Sequence, residues 1–461
     1  MTSGNVTYTG HLFTQLCDRV REAMHRLNVP GVALGLIEGD REHVATFGTT
    51  NIEHPLPITE DTLFQIGSTT KTVTATIVMR LVEAGKLDLD APVRAYLPNL
   101  RLADPDVAGR VTLRHLLSHT GGWVGDFFLD TGTGRDAIRR AVARMRTLQQ
   151  LTPLDTVWHY NNAGFYIAGR IVEAVTRKPY EQVARQWVLG PLGMTMSFFT
   201  AEEAITYRVA VGHNNYPGED GSRPATVARP WALPRNAAPV GTIISTVRDQ
   251  LRYAHFHMGD GTAPDGTRLL SPESMRLMQT PRVEASNGEH FGIGWFLRDM
   301  NGTWQVRHGG ATNGQLSAFV LVPSRQWAIT ILTNADQGRA FNTEITNWAL
   351  EHYIGYQTPK DDPIDSAPED LQPYVGRYTG IVVDLRIVLK DGKLILEHDF
   401  KQALPGQEMP PPEPPITLAR YAPDKLIMLD GPLPGTHLEF IREAGRITWL
   451  RAGGRIYARQ P

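Results

Sequence analysis

Residues 64–71 read FQIGSTTK, and the chain that follows runs TVTATIVMRLVEAG. Val73, Ile77, Leu81 and Ala84 recur at helical spacing and Gly85 closes the run, so the pattern predicts a helix over residues 68–83. Ser68 then stands at the helix start and Lys71 three residues on. Residues three apart share a helix face, so the Lys71 amine can reach the Ser68 hydroxyl. A serine hydroxyl is a weak nucleophile until a base takes its proton. A lysine amine is such a base only when its pKa is lowered, which burial and the positive end of a helix both do. The same helix end favours an anionic intermediate. Taken alone, an S-x-x-K is also what an ordinary surface Ser/Lys pair looks like.

Working outward, residues 12–27 carry Leu12, Leu16, Val20, Ala23 and Leu27 at helical spacing, stopped by Pro30 and Gly31. VALGLIEGDREHVATFG follows, two apolar strands around a Gly-Asp turn. Thr112 to Leu117 starts a short helix before an HTGG turn, and Asn161 to Thr176 reads as a helix with Ala163, Ile167, Ile171 and Val175 on one face. Strands return from Phe291 as FGIGWFL, WQVRHGG, SAFVLVP and WAITILTN. Strands at both ends and helices between predict an α+β fold: one antiparallel sheet flanked by helices, with an inserted all-helical lobe and a site in the cleft between them.

Residues 357–372 are rich in proline and acid and read as a linker. Beyond them lie seven short strand-like segments: GRYTG, DLRIVLK, KLILEH, KLIMLD, THLEFIRE, RITWLRA and GRIYAR. Such density predicts a small antiparallel β-barrel or sandwich. The MPPPEPP run at 409–415 reads as a long loop. The expected division is a catalytic domain over 1–356, a linker over 357–372 and a barrel domain over 373–461.

Two further motifs bear on Ser68. Tyr160-Asn161-Asn162 offers a phenol able to relay a proton and, at Asn162, an amide able to bond both the lysine and a substrate carbonyl. The plain alternative is a turn beside a core aromatic. His308-Gly309-Gly310-Ala311 ends a strand. If that strand edges the cleft, the Ser68 and Ala311 N–H groups form an oxyanion hole, and Gly309 and Gly310 let substrate lie close to the backbone. The plain alternative is a glycine-rich bend with His308 on the surface.

FQIGSTTK, YNN and HGG, in that order, resemble the three motifs of class C β-lactamases, D-alanyl-D-alanine peptidases and family VIII esterases. VPGVALGLI, EAGKLDLDAPV, LLSHTGG and PVGTIISTVRDQ resemble the segments around those motifs, so the likeness spans Leu12 to Tyr353. It implies the sheet-plus-helical-lobe fold, Ser68 as the acylated serine, Lys71 as its activating base, Tyr160 as proton relay, Asn162 as the substrate-facing amide and His308 as first residue of the third motif. Lactamases and peptidases usually carry lysine where His308 stands, and histidine is mostly neutral near pH 7. The substitution speaks for esterase, peptidase or acyltransferase chemistry on ester, amide or peptide substrates, with β-lactam hydrolysis weak at best. The C-terminal strands resemble the lipocalin-like barrel of some members, which can cover the cleft. In penicillin-binding-protein-type thioesterases, which cyclise nonribosomal peptides, that barrel contributes an arginine for the peptide carboxylate. Arg451 and Arg455 are the candidates here, against the plain reading of solvated hairpin arginines.

Bulk composition agrees. Of 461 residues 41% are hydrophobic and 20% charged, with 46 basic and 48 acidic side chains, which is ordinary globular chemistry with no field for a phosphate backbone. Cys17 is the one cysteine, so no intrachain disulfide forms, and its apolar-periodic setting marks a helix residue rather than a nucleophile. The N-terminus shows no secretory pattern and no run suits a membrane span, which points to a cytoplasmic protein acting on a small-molecule or peptide acyl substrate. No cofactor or metal is implied, and nothing sets an oligomeric state. G-x-S-x-G is absent, against an α/β-hydrolase. His115 and His119 lie four apart but lack the glutamate of H-E-x-x-H. A non-catalytic binding protein would be expected to show degraded motifs, and here every motif position is intact.

Overall fold

The computed structural model describes residues 10–215, 224–401, 409, 414–431 and 434–460. Helix α1 (His11–Leu27) ends at Asn28, whose left-handed backbone turns the chain into β1 (Gly31–Glu38) and β2 (Arg41–Gly48). The main sheet is completed far along the chain by β3 (Val283–Glu284), β4 (His290–Phe291), β5 (Phe296–Met300), β6 (Thr303–Ala311), β7 (Leu316–Val322) and β8 (Trp327–Thr333). Its order is β2-β1-β8-β7-β6-β5-β4-β3. The N-terminal hairpin joins the C-terminal strands through antiparallel β1–β8 pairing, with Val32 opposite Thr333 and Glu38 opposite Trp327. That closure is the one anticipated from strands at both ends of the sequence.

Period-two alternation sorts β1 between two layers. Leu34 and Leu36 face a cluster with Ile329, Ile331, Phe341 and Ile345, covered by α1 and by α5 (Gly338–Ala349). Ala33 and Ile37 belong to the opposite cluster, with Val247 and Leu251 of α4 (Val247–Met258). At Gly35 an added Cβ would come 2.9 Å from both Val247 and Leu251, so glycine there admits α4 to the sheet.

The helical lobe lies between. Helix α2 (Thr70–Glu83) follows a single 3-10 turn at Gly67–Thr69 and is buried along nearly its whole length. Helix α3 (Asn162–Thr176) starts from Asn161, whose side-chain oxygen accepts from the Gly164 N–H at 2.8 Å. The expected FGIGWFL strand is interrupted: Phe291 and Phe296 are in strands, but Gly294 has φ +80° and lies against Ala75 of α2, which bends the chain out of the ladder.

The C-terminal segment closes into an eight-stranded antiparallel barrel. Its strands are β9 (Gly376–Thr379), β10 (Val383–Lys390), β11 (Lys393–Phe400), β12 (Ile416–Ala422), β13 (Lys425–Met428), β14 (His437–Glu443), β15 (Arg446–Ala452) and β16 (Arg455–Arg459). Its interior is filled by Tyr378, Ile387, Leu396, Leu426, Leu438 and Leu450 rather than left open. The strand that sequence reading missed is β12, which supplies the pairing partner β11 and β13 need. The core of the MPPPEPP loop, residues 410–413, lies outside the described residues.

Because β1 bridges both ends of the chain, its core side chains should govern global stability. Leu34→Ala, at a fully buried site, should lower unfolding free energy by about 2–5 kcal/mol, read as a lower urea midpoint with unchanged slope. A change under about 0.5 kcal/mol would show that β1 is not part of the cooperative core.

Candidate active site

Two glycines dictate how the site is assembled. Gly67 has φ +52°, and an added Cβ would lie 2.6 Å from the Ala311 nitrogen. An added Cβ on Gly310 would lie 1.9 Å from the Ile66 carbonyl and 2.7 Å from the Ser68 nitrogen. Only glycine at both places lets the end of β6 lie on the turn that starts α2, with the Ser68 and Ala311 nitrogens at that backbone contact. Ser317 on β7 pins the same turn, donating to the Ile66 carbonyl at 2.8 Å and pairing with Thr69 Oγ1 at 3.0 Å.

Lys71 sits one turn into this segment and is wholly buried. Its Nζ lies 2.9 Å from Ser68 Oγ and donates to the Val240 carbonyl at 2.9 Å. Burial holds the amine well below its ordinary 10.5, and the Arg455 guanidinium pushes it further down against an opposing pull from Asp126. Ser68 itself remains partly accessible.

Tyr160 closes the other side. Lys71 Nζ is 5.0 Å from its ring centroid. Among the described residues its buried hydroxyl has no hydrogen bond of good geometry, although Ser68 is near enough to favour the phenolate. Burial dominates and drives the phenol pKa upward. Trp158, Phe291 and Phe296 pack with Tyr160 into an aromatic wall.

His308 is buried in that wall, 5.5 Å from Phe296 and 6.2 Å from Tyr160 between ring centroids. Its Nδ1–H donates to the Gly309 carbonyl at 2.7 Å, so Nε2 is left as a buried acceptor with no partner. Burial, aided by Lys71, brings its pKa down to about 3. The third motif therefore presents a neutral imidazole and not a surface histidine.

Asn162 does not bond Lys71; its Nδ2 donates to Asp126 at 3.1 Å. Asp126 also pairs with Arg455, Nη2 to Oδ1 at 3.0 Å and Nε to Oδ2 at 3.0 Å. Burial alone would raise the Asp126 carboxyl, but Arg455 and Asn162 outweigh it and hold it low. Arg455 comes from the barrel, with Cζ 4.8 Å from the Tyr160 ring centroid. Arg451 does not join this group: it pairs with Glu439 at 2.7 Å and donates to the Trp158 carbonyl at 3.0 Å. Neither is the solvated hairpin arginine of the plain reading.

His119 and Asp126 were not singled out as site residues from sequence. The HTGG turn held the only signal for His119, whose backbone is left-handed at φ +59°. Its Nδ1 accepts from the Asn161 N–H at 3.0 Å and its ring lies 4.4 Å from that of Tyr160. His115 instead caps the short helix Leu113–Leu117 through Thr112, so the HLLSH pair serves two structural ends. Cys17 is a buried helix residue whose thiol burial raises to about 12.

The chain is similar over most of its length to known proteins. The family model described as Beta-lactamase matches residues 16–353. Penicillin-binding protein 4 of Amycolatopsis lactamdurans is 38% identical over 370 residues, covering 78% of this chain and 95% of that protein. An unguisins hydrolase of Aspergillus campestris is 23% identical, covering 87% of this chain and 73% of its own. Among solved structures, the crystal structure of SurE superposes with TM-score 0.74 at 23% identity, covering 97% of this chain and 99% of that one, so its fold extends over the barrel as well. No helix among the described residues is long and apolar enough to cross a membrane. By the extent of these matches the chain belongs to the beta-lactamase family of serine hydrolases and acyltransferases.

Proposed function

We propose that the protein performs two-step acyl transfer through Ser68, Lys71 and Tyr160 on ester, amide or peptide substrates, with hydrolysis as the outcome. The observation that carries this reading is the buried Lys71 amine 2.9 Å from Ser68 Oγ. The directions of the two pKa shifts divide the labour. Lys71 is lowered by burial and Arg455, so its amine can accept the Ser68 proton well below the pH at which an ordinary lysine could. Tyr160 is raised by burial, so its phenol stays protonated and is suited to hand a proton to the leaving group. Ser68 Oγ attacks the carbonyl carbon, and the Ser68 and Ala311 amides hold the resulting oxyanion. Collapse expels the leaving group with a proton from Tyr160, which Lys71 restores. Water then repeats the sequence on the acyl-enzyme.

The neutral His308 cannot pair with a substrate carboxylate as a lysine would, which supports slow β-lactam turnover. A second reading, transfer of the acyl group to an amine as in peptide cyclisation, draws on the barrel hairpin whose Arg455 lies over the Tyr160 ring. One similar protein is named as an unguisins hydrolase, which favours hydrolysis as the outcome.

A panel of p-nitrophenyl esters, a D-alanyl anilide, a peptidyl thioester and a chromogenic cephalosporin, with product masses, tests the assignment. Free acid is expected as the main product and the cephalosporin as the poorest substrate; a ring-closed product would favour cyclisation. Ser68→Ala should abolish turnover and acylation. Lys71→Ala should lower kcat by about 10²–10⁴-fold, with thermal stability little changed in either. Stoichiometric labelling of Lys71 or Tyr160 in place of Ser68, or no labelling of folded protein, would refute the reading.

The pH profile follows in sign. A base with a lowered pKa is active above that pKa, so kcat/KM should rise through an acid limb well below 10.5 and then level off. A rate climbing only above about pH 10, where an ordinary lysine titrates, would contradict Lys71 as base.

A further inference from the structure

Consecutive backbone N–H groups around Tyr160 are held by partners from different parts of the chain. His159 N–H donates to the His119 carbonyl at 3.1 Å, and Asn161 N–H donates to His119 Nδ1 at 3.0 Å. The middle one, Tyr160 N–H, donates to the carbonyl of Gly454 at 2.8 Å. Gly454 lies at the tip of the β15–β16 hairpin, where Gly453 and Gly454 have φ +55° and +74°, a turn that glycine accepts without strain. The next residue, Arg455, covers the Tyr160 ring and forks onto Asp126, which in turn takes the Asn162 amide. The remaining Arg455 nitrogen, Nη1, faces the Gly453 carbonyl at 3.4 Å. Trp449 and Arg451 fasten the same hairpin to the carbonyls of Leu151 and Trp158.

Asp126 fills the Nε/Nη2 edge of the guanidinium and Nη1 faces the Gly453 carbonyl, so the group is already committed within the protein. It is well placed to fix a ring. Resting on the acyl-transfer reading above, we propose that the barrel tip Gly453–Gly454–Arg455 is a positioning element of the catalytic centre, holding Tyr160 toward Ser68 and Lys71 through the Gly454 carbonyl and the Arg455–Asp126 pair. The barrel is then part of the machinery for every substrate, including those without a carboxylate.

The charges facing Lys71 in this assembly are Arg455 and Asp126, and the titratable groups beside it, His119, His308 and the Tyr160 phenol, are held neutral by burial. Arg455 lowers the amine and Asp126 raises it, so removing Arg455 while Asp126 remains should move the acid limb of kcat to higher pH.

The test uses the full chain and an uncharged p-nitrophenyl ester, alongside a substrate ending in a carboxylate. In Arg455→Ala, kcat on the uncharged ester should fall on the order of 10- to 100-fold with KM changed less than about threefold, because misplacement of a catalytic group costs rate. The acid limb should shift upward, and Arg455→Lys should recover part of the rate by restoring a cation beside Asp126. If Arg455→Ala leaves the uncharged ester and the acid limb untouched and raises KM only for the carboxylate substrate, the proposal is overturned. Hydrogen exchange over residues 158–165 separates the failures. Faster exchange in Arg455→Ala with no ester turnover by any of the proteins would sink the acyl-transfer reading while the clamp stands. Unchanged exchange would sink the clamp itself. Should Arg455→Ala fail to fold, Arg455→Lys gives the same readouts at smaller amplitude.

Discussion

An amine taken wholly out of water without a carboxylate on it is the constraint around which this molecule is arranged. Lys71 has the Ser68 hydroxyl and the Val240 carbonyl as hydrogen-bond partners, and a protonated amine so placed carries a large desolvation cost. The neutral form is therefore favoured, and a neutral amine beside a hydroxyl is a base. The Arg455 guanidinium adds to this against the opposing pull of Asp126, and the nearby histidines, held neutral by burial, supply no counter-charge.

The centre rests on a core running through the sheet and on strands from distant parts of the chain locked side by side. The third motif reaches Ser68 only because β6 lies within this sheet and because glycine at Gly67 and Gly310 lets two backbones touch. Stability of the fold and geometry of the site are thus one problem.

Much of this was legible in the sequence. Helix α2 announced itself by its period, and the three motifs carried the Ser68–Lys71–Tyr160 grouping together with the approach of Ala311. The reason is local: spacing on a helix and glycine beside a nucleophile are short-range signals. What escaped was long-range or irregular. Strand β12 follows a proline run and its pairing with β13 shifts register near Arg420, so its alternation is broken. Asp126 and His119 become site residues only through partners far along the chain. Arg451 and Arg455 looked alike in WLRAGGRIYAR, yet the Gly-Gly turn sends one to Glu439 and the other to Asp126. Asn162, expected to bond Lys71 and a substrate carbonyl, donates instead to Asp126, whose carboxylate also holds Arg455 of the barrel.

The most direct measurement of the central claim is an NMR titration of protein labelled with ¹⁵N and ¹³C in its lysines, with the Lys71 side chain assigned by its absence in Lys71→Met. The account predicts that Lys71 loses its proton well below 10.5. A Lys71 amine that remains charged up to about pH 10 would contradict it.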